Sequence, residues 1–137
     1  MKILITGGRA FKNYKVFEHV LEMVIEHHKT KREDLIIVHG AYPGGADMMA
    51  GDFCRSRNIE ERPYPAQWDD HGKAAGPIRN HLMIKKEKPH IVLAFPGGKG
   101  TADCTRKAMK VNCRVLKVSV LDNNTHAIEE LGSYDAS

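Results

Sequence analysis

The chemistry most readable in this chain is that of backbone amides at glycine turns. Ile91-Val92-Leu93-Ala94-Phe95 is an apolar run of strand length, and Pro96-Gly97-Gly98-Lys99-Gly100-Thr101 follows it. Thr101 then stands where the residue before a helix would stand, with Ala102, Ala108, Met109 and Val111 as apolar positions of that helix. Strand, glycine turn and helix N-terminus together build an anion site. The first helical N–H groups lack partners within the helix, and its dipole adds partial positive charge at the same place. Glycine lets a ligand approach the backbone closely, and Pro96 fixes the entry to the turn.

Two more glycine turns follow strand-like runs. Lys2–Thr6 leads into Gly7-Gly8-Arg9, and Leu35–His39 leads into Gly40 and then Gly44-Gly45-Ala46-Asp47. Around them stand side chains able to hold a ligand. Arg9 either sets its guanidinium over the crevice or lies on the surface. Asp47 either caps its helix or accepts a hydrogen bond from a ribose hydroxyl. Trp68 is the single tryptophan and lies in a polar loop, where it either buries itself as an anchor or stacks on a base. Lys73 belongs to another glycine-bearing loop, Gly72–Pro77. Arg79 and Asn80 follow, on a helix whose apolar stripe reads as Ile78, Leu82 and Met83. Arg79 can pair bidentately with phosphate or carboxylate, or else remain solvated. Asp103, two residues after Thr101, falls in the first turn of its helix, facing the crevice.

The elements that must position these residues alternate. Val16, Val20, Leu21, Val24 and Ile25 recur at helical spacing and predict a helix over about Tyr14–Lys29. A second helix starts at Gly44-Gly45, and a polar edge strand is expected near Glu60–Tyr64, shortened by Pro63 and Pro65. A third helix spans about Ala75–Lys86. The fourth strand and helix come from the central glycine-turn stretch, and Val115–Leu121 forms a fifth strand. Strands alternating with helices imply an α/β, three-layer fold, with a mostly parallel sheet of about five strands and helices on both faces. Ligands in such folds bind outside the carboxyl ends of the strands. Residues 1–121 read as one domain, and 122–137 as its C-terminal helix or tail.

The chain has 137 residues, 42% hydrophobic and 28% charged, with a formal net charge of +4. That balance is ordinary for a globular domain and suits an anionic ligand. The basic residues are dispersed, so a nucleic-acid surface is allowed but not indicated. Three cysteines without CxxC spacing argue against a disulfide framework or zinc site and point to a reducing cytoplasm. No signal peptide or membrane-length apolar run is read. The eight histidines show no ligand spacing, so no metal is assigned, and no cofactor is expected.

Pro96-Gly97-Gly98-Lys99-Gly100-Thr101 resembles the P-G-G-x-G-T signature of the Lonely Guy phosphoribohydrolases, and Arg79–Met83 resembles their R-K-x-x-M segment. The chain is more similar still to the small YspA/YpsA-related branch of the SLOG superfamily. That resemblance rests on Thr6–Arg9, on His39-Gly40 with Gly44–Asp47, on Pro65–Trp68, on Gly72–Asn80 and on Ala94–Gly98. It implies a Rossmann-like fold that binds nucleotides or nucleotide-derived ligands, often in phage and bacterial conflict. In the hydrolases the matching Arg and a Glu just after the glycine turn serve N-glycosidic cleavage. Here Asn80 replaces the Lys and Asp103 stands where the Glu is expected, one methylene shorter. An ångström of misplacement already costs ~100-fold in rate.

The first expectation is therefore a protein that senses or sequesters a nucleotide or nucleotide-derived ligand. The alternative is a nucleoside 5′-monophosphate phosphoribohydrolase using Arg79 and Asp103. A third reading is a single-stranded nucleic-acid binder. Apolar helix surface and the resemblance suggest a homodimer.

Overall fold

A computed structural model describes residues 1–122 and 125–132 of the chain. The first strand, β1 (Lys2–Thr6), lies in mid-sheet and is buried on both faces, as its unbroken Ile3-Leu4-Ile5 run requires. Helix α1 (Tyr14–His27) follows, capped by the Asn13 side chain, which accepts from the Val16 amide at 3.1 Å. Then come β2 (Ile36–His39), α2 (Gly45–Arg57), β3 (Glu60–Pro63) and a single helical turn, α3 (Trp68–His71). Helix α4 (Ala75–Glu87), β4 (Ile91–Ala94), α5 (Lys99–Lys110), β5 (Arg114–Val120) and β6 (His126–Leu131) complete the order.

The sheet has six strands in the order β3-β2-β1-β4-β5-β6, parallel except for the β5–β6 pair. Ile3 pairs with Ile37 on one side and Ile91 on the other. Side chains alternate across the sheet. Ile3, Ile5 and Ile37 pack with Phe17, Val20 and Leu21 of α1 and with Ala50 and Phe53 of α2. Leu4, Val38 and Val92 pack on the other face with Met83 and Ile84 of α4 and with Cys104 and Ala108 of α5. The fold is α/β with helices on both faces, and this strand order is consistent with a Rossmann-like sheet.

Three expectations need correction. The first concerns residues 126–131, expected as helix or tail, which pair antiparallel with β5, Val118 opposite Ile128. This edge strand carries Glu129 and Glu130, and Glu130 pairs with Arg114 at 2.6 Å. Charges of this kind keep an edge from pairing further, and they also hide the strand from apolar periodicity. The rest of the expected tail, 123–124 and 133–137, lies outside the described residues.

The second concerns α5, which begins three residues early, with Gly98 as its cap in place of Thr101 and Thr101 inside its first turn. Asp103 therefore falls beyond that turn. The third concerns α4, which buries Asn80, Met83, Ile84 and Glu87, whereas Ile78 is 37% exposed. Two polar residues hold places in the buried stripe because their polar atoms are satisfied there. Hydrophobicity alone put Ile78 in that stripe instead.

Among the described residues, no helix is long and apolar enough to cross a membrane.

Candidate functional site

The strand order reverses at β1, where its two neighbours lead away in opposite directions, so the loops after β1 and β4 diverge and leave a crevice. An open cleft of about 1420 Å³ occupies that place. Gly7, Gly8 and Arg9 come to it from the turn after β1, Gly40 from the β2–α2 connection and Asp47 from the first turn of α2. Trp68, Lys73, Arg79 and Asn80 come from α3, α4 and the turn between them, Pro96, Gly97 and Gly98 from the β4–α5 turn, and Gly100, Thr101 and Asp103 from α5. Gly44 and Gly45, expected to share in binding, do not line it. Arg9, Lys12, Lys73, Arg79 and Lys99 stand against Asp47 and Asp103, so the lining is net positive.

The glycines divide into two kinds. Gly45 has φ +62° and sits so close to Gly8 that a Cβ would strike the Gly8 carbonyl oxygen. The Ala46 amide donates to that same oxygen at 3.4 Å, so α2 spends its N-terminus on the β1 loop. Gly97 is equally confined, because a Cβ there would strike Thr101 Oγ1 and come within 2.7 Å of the Gly8 amide. Gly98 and Gly100 differ: a Cβ at either meets nothing within 4 Å. No side chain caps α5 at Gly98, and Gly98, Lys99, Gly100 and Thr101 line the cleft, at the helix end whose first amides lack partners within the helix.

Arg79 and Asp103 are joined through Asn80. Arg79 Nη1 donates to the Gly40 carbonyl at 2.5 Å, and Nε donates to Asn80 Oδ1 at 2.9 Å. Among the described residues no acceptor holds Nη2. Asn80 Nδ2 donates to the Gly100 carbonyl at 3.2 Å and to Asp103 Oδ2 at 3.1 Å. Lys107 and Arg106 reach the two oxygens of Asp103 at 2.8 and 2.9 Å. Partial burial pushes the Asp103 carboxyl up, but hydrogen bonds from Lys107 and Asn80 and the charges of Lys107 and Arg106 bring it below its usual range.

Arg79 is thus a latch between α4 and the β2–α2 connection. Arg79→Ala is expected to lower stability by about 1.5–3 kcal/mol, the usual worth of hydrogen bonds to a charged group. Urea denaturation would read that loss, and an unchanged midpoint would remove the latch.

Asp47 does not cap its own helix. Its Oδ2 accepts from the Tyr42 amide at 3.1 Å and lies beside Gly40. Burial raises its carboxyl above the usual value, against the opposing pull of the Tyr42 amide, His39 and Arg79. His39 is buried, accepts from the Ala41 amide at 2.9 Å through Nδ1, and therefore carries its proton on Nε2, 2.6 Å from Glu61. Ala41 lies at φ +60° between them.

Tyr42 was not singled out from the sequence. It lines the cleft, and the Arg9 guanidinium lies over its ring at 4.4 Å and over the Trp68 ring at 5.6 Å. An aromatic residue between Gly40 and Gly44 is the one signal the sequence holds for it. Cys54 and Cys104 are buried, which pushes both thiols up to about 12 and leaves them poor nucleophiles.

Fold and site together define a doubly wound α/β protein with an open, net-positive cleft at the carboxyl ends of its central strands. Residues 1–71 match the YspA, cpYpsA-related SLOG family, and the chain belongs to that family. It is also 31% identical over 121 residues to the Gene 61 protein of Mycobacterium phage D29, an alignment covering 84% of this chain and 94% of the phage protein.

Proposed function

We propose that the protein binds a phosphorylated nucleotide or nucleotide-derived ligand in the β1/β4 cleft, as a sensor or a sequestering protein. The observation that carries this reading is the open N-terminus of α5. Its first residues line a net-positive cleft with no side chain capping the helix, and a Cβ at Gly98 or Gly100 would meet nothing within 4 Å. Phosphate oxygens fit there against backbone donors and the positive end of the helix. Gly8, Gly45 and Gly97 serve this indirectly, by letting three loops pack closely enough to present α5. Membership of the SLOG family supports a nucleotide-related ligand.

Binding is favoured over N-glycosidic cleavage by the state of the two candidate catalytic groups. Arg79 spends Nη1 and Nε on the protein, and Asp103 is neutralised by Lys107 and Arg106. A carboxylate so held is a weak proton donor, and reorganising it toward a sugar costs the bonds it already makes. An extended basic groove for single-stranded nucleic acid finds no support either. Arg55, Arg57, Arg62 and Arg114 are each paired with carboxylates.

Calorimetric titration of AMP, GMP, CMP and UMP beside the corresponding nucleosides tests the reading. The 5′-phosphate is expected to add ~10-fold or more in affinity for at least one pair, the worth of charge-assisted hydrogen bonds. Equal affinity across every pair would remove phosphate from the site.

A further inference from the structure

The Arg9 guanidinium rests on two aromatic rings and, among the described residues, on no acceptor. Its Cζ is 4.4 Å from the Tyr42 ring centroid and 5.6 Å from that of Trp68, over the face of each. Arginine normally spends its donors on carboxylates, carbonyls or phosphates. Here a planar cation lies on two π faces at the wall of a cleft, with its hydrogen-bonding capacity unspent.

The two rings are held and their occupant is not. The Tyr42 amide is bound by Asp47, and the Tyr42 ring leans on Gly44, where a Cβ would come within 3.4 Å of Cε2. The Trp68 indole lies against Gly76 in the first turn of α4, with Cη2 3.6 Å from where a Cβ would stand. The Arg9 backbone is pinned against Gly45, 2.8 Å from the position of a Cβ there. The Arg9 side chain itself is exposed, and free to rotate about a fixed Cα.

We infer that Tyr42 and Trp68 are the walls of a nucleobase subsite and that Arg9 is its displaceable placeholder. The base of the ligand takes the place of the guanidinium against the two rings, and the guanidinium turns to the phosphate. This rests on the proposed nucleotide-binding reading and adds to it the element that recognises the base. Both halves of the exchange are favourable. A stacked base gains more than a cation over a solvent-exposed ring, and a guanidinium gains a bidentate phosphate partner. Stacking accepts any base, because every base has a π face, so discrimination among bases must come from edge contacts elsewhere.

Trp68 is the only tryptophan, so emission excited at wavelengths that the four tyrosines do not absorb reports on this subsite alone. The test titrates the four nucleoside monophosphates, their nucleosides and ribose 5-phosphate into the full chain, following emission and heat together. A nucleotide is expected to bind and quench Trp68, and ribose 5-phosphate to bind without quenching. Tyr42→Ala and Trp68→Ala should each weaken nucleotide and nucleoside roughly tenfold and leave ribose 5-phosphate unchanged. Arg9→Ala should separate the ligands by sign, weakening the nucleotide roughly tenfold while tightening the nucleoside. A merely structural Arg9 would shift both the same way. Nucleotide binding that neither quenches Trp68 nor responds to Tyr42→Ala and Trp68→Ala would overturn the base subsite and leave the phosphate reading standing. Nucleosides that quench while ribose 5-phosphate gives no heat would sustain the subsite and sink the phosphate reading. No heat from any of these ligands would overturn both.

Discussion

Gly98→Leu is expected to reduce nucleotide affinity by ~100-fold or more while melting at the temperature of the unmodified protein, and its neighbour Gly97→Ala to do the reverse. At Gly98 an added Cβ meets no protein atom within 4 Å, and on the proposed reading the side chain takes space that phosphate oxygens need beside the start of α5. At Gly97 a single methyl collides with Thr101 Oγ1 and crowds the Gly8 amide. Overpacking of that kind costs about 1–3 kcal/mol. Calorimetry and thermal denaturation on both variants would measure the pair. A folded Gly98→Leu that binds normally would remove the ligand from this turn, and a fully stable Gly97→Ala would mean that the loops are not packed as described.

Glu87→Gln is expected to destabilise the fold by about 2–3 kcal/mol, below the ~3–5 of a fully buried pair because Lys2 and Arg62 reach solvent. Glu87 is 6% exposed at the end of α4. It accepts from the Tyr64 hydroxyl at 2.5 Å, Arg62 at 2.8 Å and Lys2 at 3.1 Å, tying α4 to β1, to β3 and to the residue after β3. Burial alone would raise its carboxyl, but the hydrogen bonds from Tyr64, Lys2 and Arg62 hold it below the usual range. A carboxyl depressed in the folded state stabilises fully above its unfolded value of about 4.3, and loses that contribution as the pH falls through the folded value. The unmodified protein should therefore lose stability more steeply than Glu87→Gln below about pH 4. Parallel acid profiles in urea titrations would show that Glu87 carries no such linkage.

The framework of the fold was legible because its strands are buried on both faces and its glycine turns fall at their ends. Ile3–Ile5 and Ile91–Leu93 have no polar residue to confuse the pattern, and the helices between them are amphipathic. What escaped was polar. Asn80 and Glu87 occupy core positions that periodicity gives to apolar residues, and they do so because partners distant in sequence satisfy them: Gly100 and Asp103 for one, Lys2, Arg62 and Tyr64 for the other. Strand β6 has Glu129 and Glu130 where an inner strand would be apolar. The start of α5 was displaced because Thr101 is the better capping residue by type, whereas Gly98 is the cap in fact.

The candidate site was legible as a set of residues but not as a division of labour. Glycines that look alike in the sequence separate into those crowded by other loops and those open to the cleft. That distinction depends on which backbone lies opposite, and local sequence carries no record of it. Tyr42 gains its interest only from the guanidinium above it.

The central claim, that the protein holds a phosphorylated nucleotide without cleaving it, is most directly tested in one incubation. The unmodified protein is mixed with AMP, GMP, CMP and UMP, and the retained nucleotide and any free base are measured by mass spectrometry in the same sample. At least one nucleotide is expected to be retained and recovered intact. Failure to retain any, or multiple-turnover release of free base that is lost in Asp103→Asn, would contradict the claim.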